Sequence, residues 1–144
     1  MPLDDSIALV RRYVAALNAG DLAALDELFA DDFVIHQPSG DRRGRAAIRS
    51  FVAGVRRLLP DIDARIEAVV ADDAFGDGDR VVARATLHAT NTGNLGDIQA
   101  TGKRVRVGSV IIYRFEGDKI AEEWEIFDVL GMYRQLGLPP PNGH

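Results

Sequence analysis

Apolar residues recur at helical spacing in three early stretches of the chain and then give way to alternation. Over residues 6–18, Ile7, Val10, Val14 and Leu17 fall on one side of a helix, with Asp4, Asp5 or Ser6 available as N-cap and Gly20 as the stop. Asp21 caps a shorter second helix whose inner side is Leu22, Leu25, Leu28 and Phe29. The third, over residues 45–59, sets Ile48, Phe51, Val52, Val55 and Leu59 on one face and ends at Pro60. Before it, Asp31-Asp32 introduces a short strand over residues 33–36, and Pro38-Ser39-Gly40-Asp41 has the composition of a turn.

Beyond Pro60 the period changes. Ile62, Ala64, Ile66, Ala68 and Val70 alternate with Asp63, Arg65 and Glu67, the pattern of a half-buried strand. Gly76-Asp77-Gly78-Asp79 predicts a hairpin turn into a strand over residues 80–91, followed by a looser loop over 92–101. Val105, Val107, Ile111, Tyr113 and Phe115 share one face of the next strand. Glu116-Gly117-Asp118 makes a tight turn into a last strand over 119–128, and a short helix runs on to Leu136. Pro139-Pro140-Pro141 marks a frayed end. Helices first and hairpin-linked strands afterwards predict an α+β domain with an antiparallel sheet. Three helices cover one face of such a sheet, an arrangement that leaves room for an internal pocket.

Composition narrows the function. At 144 residues the chain has the size of one domain, and 47% apolar with 27% charged residues is the balance of an ordinary globule. Without cysteine, disulfides, thiolate catalysis and iron–sulfur clusters are excluded. Only His36, His88 and His144 are available as imidazole ligands and no H-E-x-x-H occurs, so no metal site is expected. Asp72-Asp73 with the glycine–aspartate turn lacks the spacing of an EF-hand. A net charge of −5 gives nucleic acid poor electrostatic footing. The cluster Arg42, Arg43, Arg45, Arg49, Arg56 and Arg57 reads as a solvated helix face or as ion-pair partners of the acidic helices. No apolar run approaches the roughly 20 residues of a membrane span. The acidic start also lacks a signal peptide's basic and apolar regions, so a cytoplasmic location with no membrane partner is expected.

The last strand carries the densest candidate chemistry. Simple alternation puts Ile120, Glu122, Trp124, Ile126 and Asp128 on one face, which the apolar members mark as the covered one. A carboxyl beside Trp124 and Ile126 would be desolvated and raised toward neutrality, as suits a general acid or base. The competing reading makes Asp128 the cap of the tail helix and leaves Glu122 in water at the sheet edge. Arg84, Thr86, His88 and Thr90 share one strand face and Ala83, Ala85, Leu87 and Ala89 the other. Polarity alone does not decide which of these faces lines the pocket. Tyr13 and Tyr113 either present hydroxyls to the cavity or pack in the core.

The run D-K-I-x-E-x-W-x-x-x-D-x-x-G from Asp118 to Gly131, followed by Gln135-Leu136-Gly137, resembles the C-terminal signature of the SnoaL-like polyketide cyclases and ester cyclases, within the nuclear-transport-factor-2-like superfamily. Leu17-Asn18-Ala19-Gly20-Asp21, His36-Gln37-Pro38, Gly44 with Ile48 and Phe51, Leu59-Pro60-Asp61, Gly78-Asp79-Arg80-Val81 with Arg84, and Thr101-Gly102-Lys103 match in the same order. The likeness spans most of residues 6–137. It implies a cone-shaped curved sheet and a cofactor-independent intramolecular aldol closure on a small, hydrophobic, oxygenated substrate. Asp128 matches the family's acid/base aspartate, and His36 its pocket histidine. Arg84, His88 and Asn91 are further candidate donors, Glu122 a further pocket carboxylate, and Trp124, Phe33, Phe51, Tyr13 and Tyr113 the wall. Ala89-Thr90-Asn91-Thr92-Gly93 departs from the frequent G-T-H-x-G, and Ala100-Thr101-Gly102 from P-T-G, which leaves the substrate open. Two other readings use the same fold: another acid/base reaction (hydroxylation, epoxide opening or isomerisation), or a binding scaffold without catalysis. A homodimer through the open sheet face is expected, because apolar residues there would otherwise stay wet.

Overall fold

The computed structural model describes residues 2–72 and 80–141. The Gly76–Asp79 turn and His144, both singled out above, lie outside them. Ten elements follow in order: α1 (Leu3–Ala19), α2 (Leu22–Leu28), β1 (Phe29–Gln37), β2 (Gly40–Arg43), α3 (Arg45–Leu58), β3 (Asp63–Asp72), β4 (Arg80–Thr90), β5 (Arg104–Glu116), β6 (Lys119–Phe127) and α4 (Val129–Leu136). The pattern of apolar positions anticipated this order except for β2, a strand formed inside the stretch whose Pro, Ser and Gly suggested only a turn.

The strands form one open sheet in the order β2-β1-β6-β5-β4-β3. It is mixed rather than purely antiparallel: β1 lies parallel to β6, joining the N-terminal strand to the last one, while every other neighbouring pair is antiparallel. Helices α1 to α3 cover the inner face. Leu9, Val10, Tyr13 and Leu17 of α1 are buried with Leu25, Leu28, Ile48 and Val52 of the next two helices against Phe29, Phe33 and Ile35 of β1. Tyr13 and Phe33 meet the Phe29 ring edge-on, with centroids 5.1 and 4.7 Å away.

Polar side chains lock the helices to the sheet at a few points. The Asn18 amide donates to the Ala64 carbonyl at 3.0 Å and accepts from the Ala64 N–H at 2.8 Å, tying α1 to the edge strand β3. The Arg56 guanidinium of α3 donates to the Leu17 and Asn18 carbonyls left open at the end of α1. Gln135 of α4 clamps Arg106 of β5 through both amide groups, at 2.7 and 2.8 Å.

Two bulges decide which side chains face inward. Across β5 and β6, Phe115 pairs with Ile120 but Arg114 pairs with Glu122, so Ala121 is an extra residue. Alternation therefore shifts by one. Ile120 points in, Glu122, Trp124 and Ile126 point out, and Glu123, Glu125 and Phe127 point in. Across β3 and β4, Ile66 pairs with Ala85 and Ala68 with Arg84, so Glu67 is the extra residue. Val69 and Ala71 then take the inner face and Val70 is left 65% exposed. The unbroken alternations expected for both strands fail at these bulges, because one added residue moves every later side chain to the opposite face.

Candidate active site

Between the helices and the inner face lies a cavity of about 750 Å³, the size of a site for a drug-sized molecule. Its floor is β4 and β5: Ala83, Ala85, Leu87, Val107, Ile111 and Tyr113. Tyr13 and Leu17 come from α1, Phe51 and Val55 from α3, and Met132 and Tyr133 from α4. Gly54, in the middle of α3, also borders the cavity, and a Cβ built there meets nothing within 4 Å. Glycine inside a helix costs up to about 1 kcal/mol relative to alanine. Here it leaves space rather than relieving a clash.

The chemistry of this mostly apolar cavity sits on β6. Glu125 borders it and is only 7% exposed. Burial pushes its carboxyl up to about 7, opposed by hydrogen bonding from Gln37 of β1, which also lines the cavity. Glu123, two residues earlier on the same side of the strand, is fully buried, and neither of its oxygens has a hydrogen-bond partner among the described residues. Burial first, and then the neighbouring Glu125, hold Glu123 well above the usual carboxylate range. Two desolvated carboxyls that interact in this way do not both ionise readily, so burial holds both members of the pair above the ordinary carboxylate range. Burial and the two glutamates also raise Tyr13 and Tyr113 well above the ordinary phenol value. Both stay neutral and remain hydrogen-bond donors.

Of the residues singled out from sequence, Tyr13, Tyr113 and Phe51 do line the cavity, while Phe33 lies in the core behind it. The others are elsewhere. His36 projects from the outer face, where its ring stacks on Trp124 at 5.3 Å and its two nitrogens bond Asp41 at 2.8 Å and Glu122 at 2.6 Å. Glu122 also accepts from Arg114 at 2.8 Å. Burial alone would raise Glu122, but the hydrogen bonds from Arg114 and His36 prevail and hold it below the ordinary range. Arg84 and His88 share that outer side, pairing with Val110 and Arg106, while the alanine face of β4 faces the cavity. The polar face of this strand is thus the open one.

Asn91 is fully buried, but its amide is already engaged. Its Nδ2 donates to Leu58 and Gly93 carbonyls, and its Oδ1 accepts from the Thr101 N–H and hydroxyl. It ties the 91–103 loop to the end of α3. Asp128 is the N-cap of α4, accepting from the Gly131 N–H at 2.8 Å. A Cβ on Gly131 would fall 2.1 Å from the Asp128 carboxylate, so glycine at that spacing allows the cap to close. Expecting the Trp124–Asp128 side to be covered neglected the Ala121 bulge, the same omission that hid Glu123 and Glu125. Their signal was present in the sequence as carboxylates alternating with Ala121 and Phe127.

A cone-like α+β domain enclosing a small-molecule cavity, with a titratable carboxyl in its apolar wall, is the class defined by this fold and site. The chain belongs to the SnoaL-like polyketide cyclase family, whose model matches residues 7–136. It is 29% identical to the aklanonic acid methyl ester cyclase DauD of Streptomyces sp. (strain C5), across 96% of this chain and 86% of that protein. The aklanonic acid methyl ester cyclase DnrD of Streptomyces peucetius is likewise 29% identical, across 96% and 95%. Among solved structures, TsrD from Streptomyces laurentii superposes with a TM-score of 0.84 at 27% identity, covering 96% of this chain and 99% of that one. Among the described residues no helix is long and apolar enough to cross a membrane.

Proposed function

We propose that the protein closes a ring in an oxygenated, largely apolar polyketide by intramolecular aldol addition, with Glu125 as the acid/base. The observation that carries this reading is a carboxyl poised near neutrality in the wall of a substrate-sized apolar cavity. Ionised Glu125 removes a proton from a carbon flanked by carbonyls, and the resulting enolate forms a carbon–carbon bond to a ketone carbon of the same molecule. The ketone oxygen becomes an alkoxide and takes the proton back from Glu125. Product and substrate are isomers, so the step balances without an oxidant or reductant. Tyr13, Tyr113 and Gln37 are the nearby donors for charge developing on oxygen, and the cavity holds donor and acceptor carbons together.

Glu125→Gln is the direct test. With aklanonic acid methyl ester, the substrate class of the named relatives, ring closure should fall by about 10²–10⁴-fold. The variant should bind substrate and melt no lower than wild type, since an amide removes the cost of burying a charge. Full turnover by Glu125→Gln would refute the assignment.

The outer sheet face supports a second part of the proposal, a homodimer. Val70, Val110, Ile112 and Ile126 are 65%, 45%, 37% and 69% exposed there, beside Trp124, an apolar patch that a second copy would cover. Sedimentation should show a dimer at micromolar concentration and a monomer for Ile126→Lys. A wild-type monomer would remove this part alone.

A further inference from the structure

The cavity floor is built of cross-strand rows, because β4, β5 and β6 pair in unbroken register through this stretch and cross-strand partners project from the same face. Ala83, Ile111 and Glu125 form one row, Ala85, Ser109 and Phe127 the next, and Leu87 with Val107 a third. All of these residues border the cavity. On the other side of the first row stand Val81, Tyr113 and Glu123, each no more than 1% exposed, which close the floor at its acidic end. The inner side of β5 is an apolar run, Val105, Val107, Ile111 and Tyr113, broken at Ser109. The middle row thus carries a hydroxyl between an alanine and a phenylalanine, and among the floor residues the polar side chains are Tyr113, Glu125 and Ser109.

Ser109 has a poor partner inside the protein. Its hydroxyl donates to the Ala85 carbonyl at 3.5 Å, well beyond the roughly 2.5–3.0 Å of a good O–H···O bond. Bonding capacity is therefore left over on a half-buried hydroxyl that borders the cavity. A ligand that covers it with hydrocarbon strands it without water, whereas a ligand that brings an oxygen there does not. From this placement we propose that Ser109 is a specificity-determining residue, which donates to a neutral carbonyl oxygen of the ligand and so fixes how far the ligand slides along the floor past Glu125. The inference rests on the cavity being the substrate site and adds to it which molecules are accepted. Glu125 lies diagonally across the β5–β6 ladder from Ser109, about 7–8 Å away between backbone positions. The oxygen that Ser109 holds therefore lies one row along from the carbon that Glu125 deprotonates. A neutral oxygen suits the row, which is otherwise apolar and close to a carboxyl that ionises.

A matched pair of neutral probes tests this without turnover, by equilibrium dialysis: 9-fluorenone and fluorene, flat tricyclic molecules that differ by a ketone oxygen against a methylene. The quantity read is the ratio of their dissociation constants, compared between variants so that the probes' different hydration cancels. Ser109→Ala should reduce the relative preference for the ketone by about three- to tenfold, the worth of one neutral hydrogen bond. Fluorene should bind this variant at least as tightly as it binds wild type, which also shows that the cavity is intact. Ser109→Thr, which keeps the hydroxyl, should keep most of the preference. A ratio unchanged in Ser109→Ala, a preference lost as fully in Ser109→Thr, or fluorene affinity falling together with that for fluorenone would overturn the proposal. Failure of wild type to bind either probe would overturn it too. An unchanged ratio removes the role of Ser109 alone, whereas turnover by Glu125→Gln removes the acid/base reading alone.

Discussion

Glu122 and Glu125 stand three residues apart on one strand and live in opposite environments. On the outer face, Glu122 receives hydrogen bonds from His36 and Arg114, remains partly open to water and is held below the ordinary carboxylate range. On the inner face, Glu125 sits in an apolar cavity and is pushed up to about 7. Glu122 is a fixed charge, whereas Glu125 changes charge near physiological pH. A polar cluster of His, Trp, Glu and Arg looks more like a catalytic centre than a glutamate in an apolar wall does. Yet cation partners make a carboxylate inert as a base, and isolation from water makes one useful.

The sharpest way to break this contrast is the pH dependence of the two glutamates. If Glu125 is the base, kcat/KM should rise with pH through about 7, the range in which its carboxyl loses its proton. Glu122→Gln should leave that profile in place, and a profile abolished by Glu122→Gln would reverse the assignment of the faces. Stability should move the opposite way. Burial raises Glu125 above the ordinary 4.5, so its proton-bound form supports the fold fully below about 4.5, and that contribution is lost as pH rises through about 7. Chemical denaturation at several pH values should show the decline in wild type and a smaller one in Glu125→Gln.

A smaller effect is expected at the end of the same strand. Asp128→Ala removes the cap of α4 and should cost about 0.5–2 kcal/mol in stability while leaving turnover within a few-fold. Loss of turnover with an unchanged melting temperature would instead return Asp128 to the chemistry. The mildest change is Gly54→Ala. It should stabilise α3 by up to about 1 kcal/mol and weaken binding of the largest ligands, since the added methyl projects into the cavity. Unchanged affinity for a series of increasing ligand size would show that ligands do not reach α3 there.

The sequence signature proves to be mainly architectural. In the C-terminal run, Asp128 and Gly131 build one helix cap, Gln135 clamps α4 to β5, and Gly137 ends the helix with φ +71°. Near the start, Asn18 ties α1 to β3, and Gly20 lies where a side chain would strike Arg56. In this chain these residues hold helices to the sheet and close helix ends, and so they said more about shape than about reaction. The wall residues were less legible. Periodicity put Phe51 and Tyr113 on apolar faces but left Tyr13 and Tyr113 open between cavity and core, and it missed the acidic pair, because Ala121 carries no composition that marks a bulge.

What the chain alone determined is the set of elements other than β2: three amphipathic helices with a strand before the third, then long strands and a short last helix, with apolar residues spaced to bury one side of each. Local periodicity and capping chemistry depend on neighbours a few residues away, and those are written in order along the chain. Tertiary structure decided which face of each strand is inside, where β2 attaches, and that β1 runs parallel to β6. Those outcomes depend on register between distant segments. One inserted residue in a strand exchanges its two faces without altering its composition. That exchange turned Trp124 and Glu122 toward the outside and set Glu125 in the cavity.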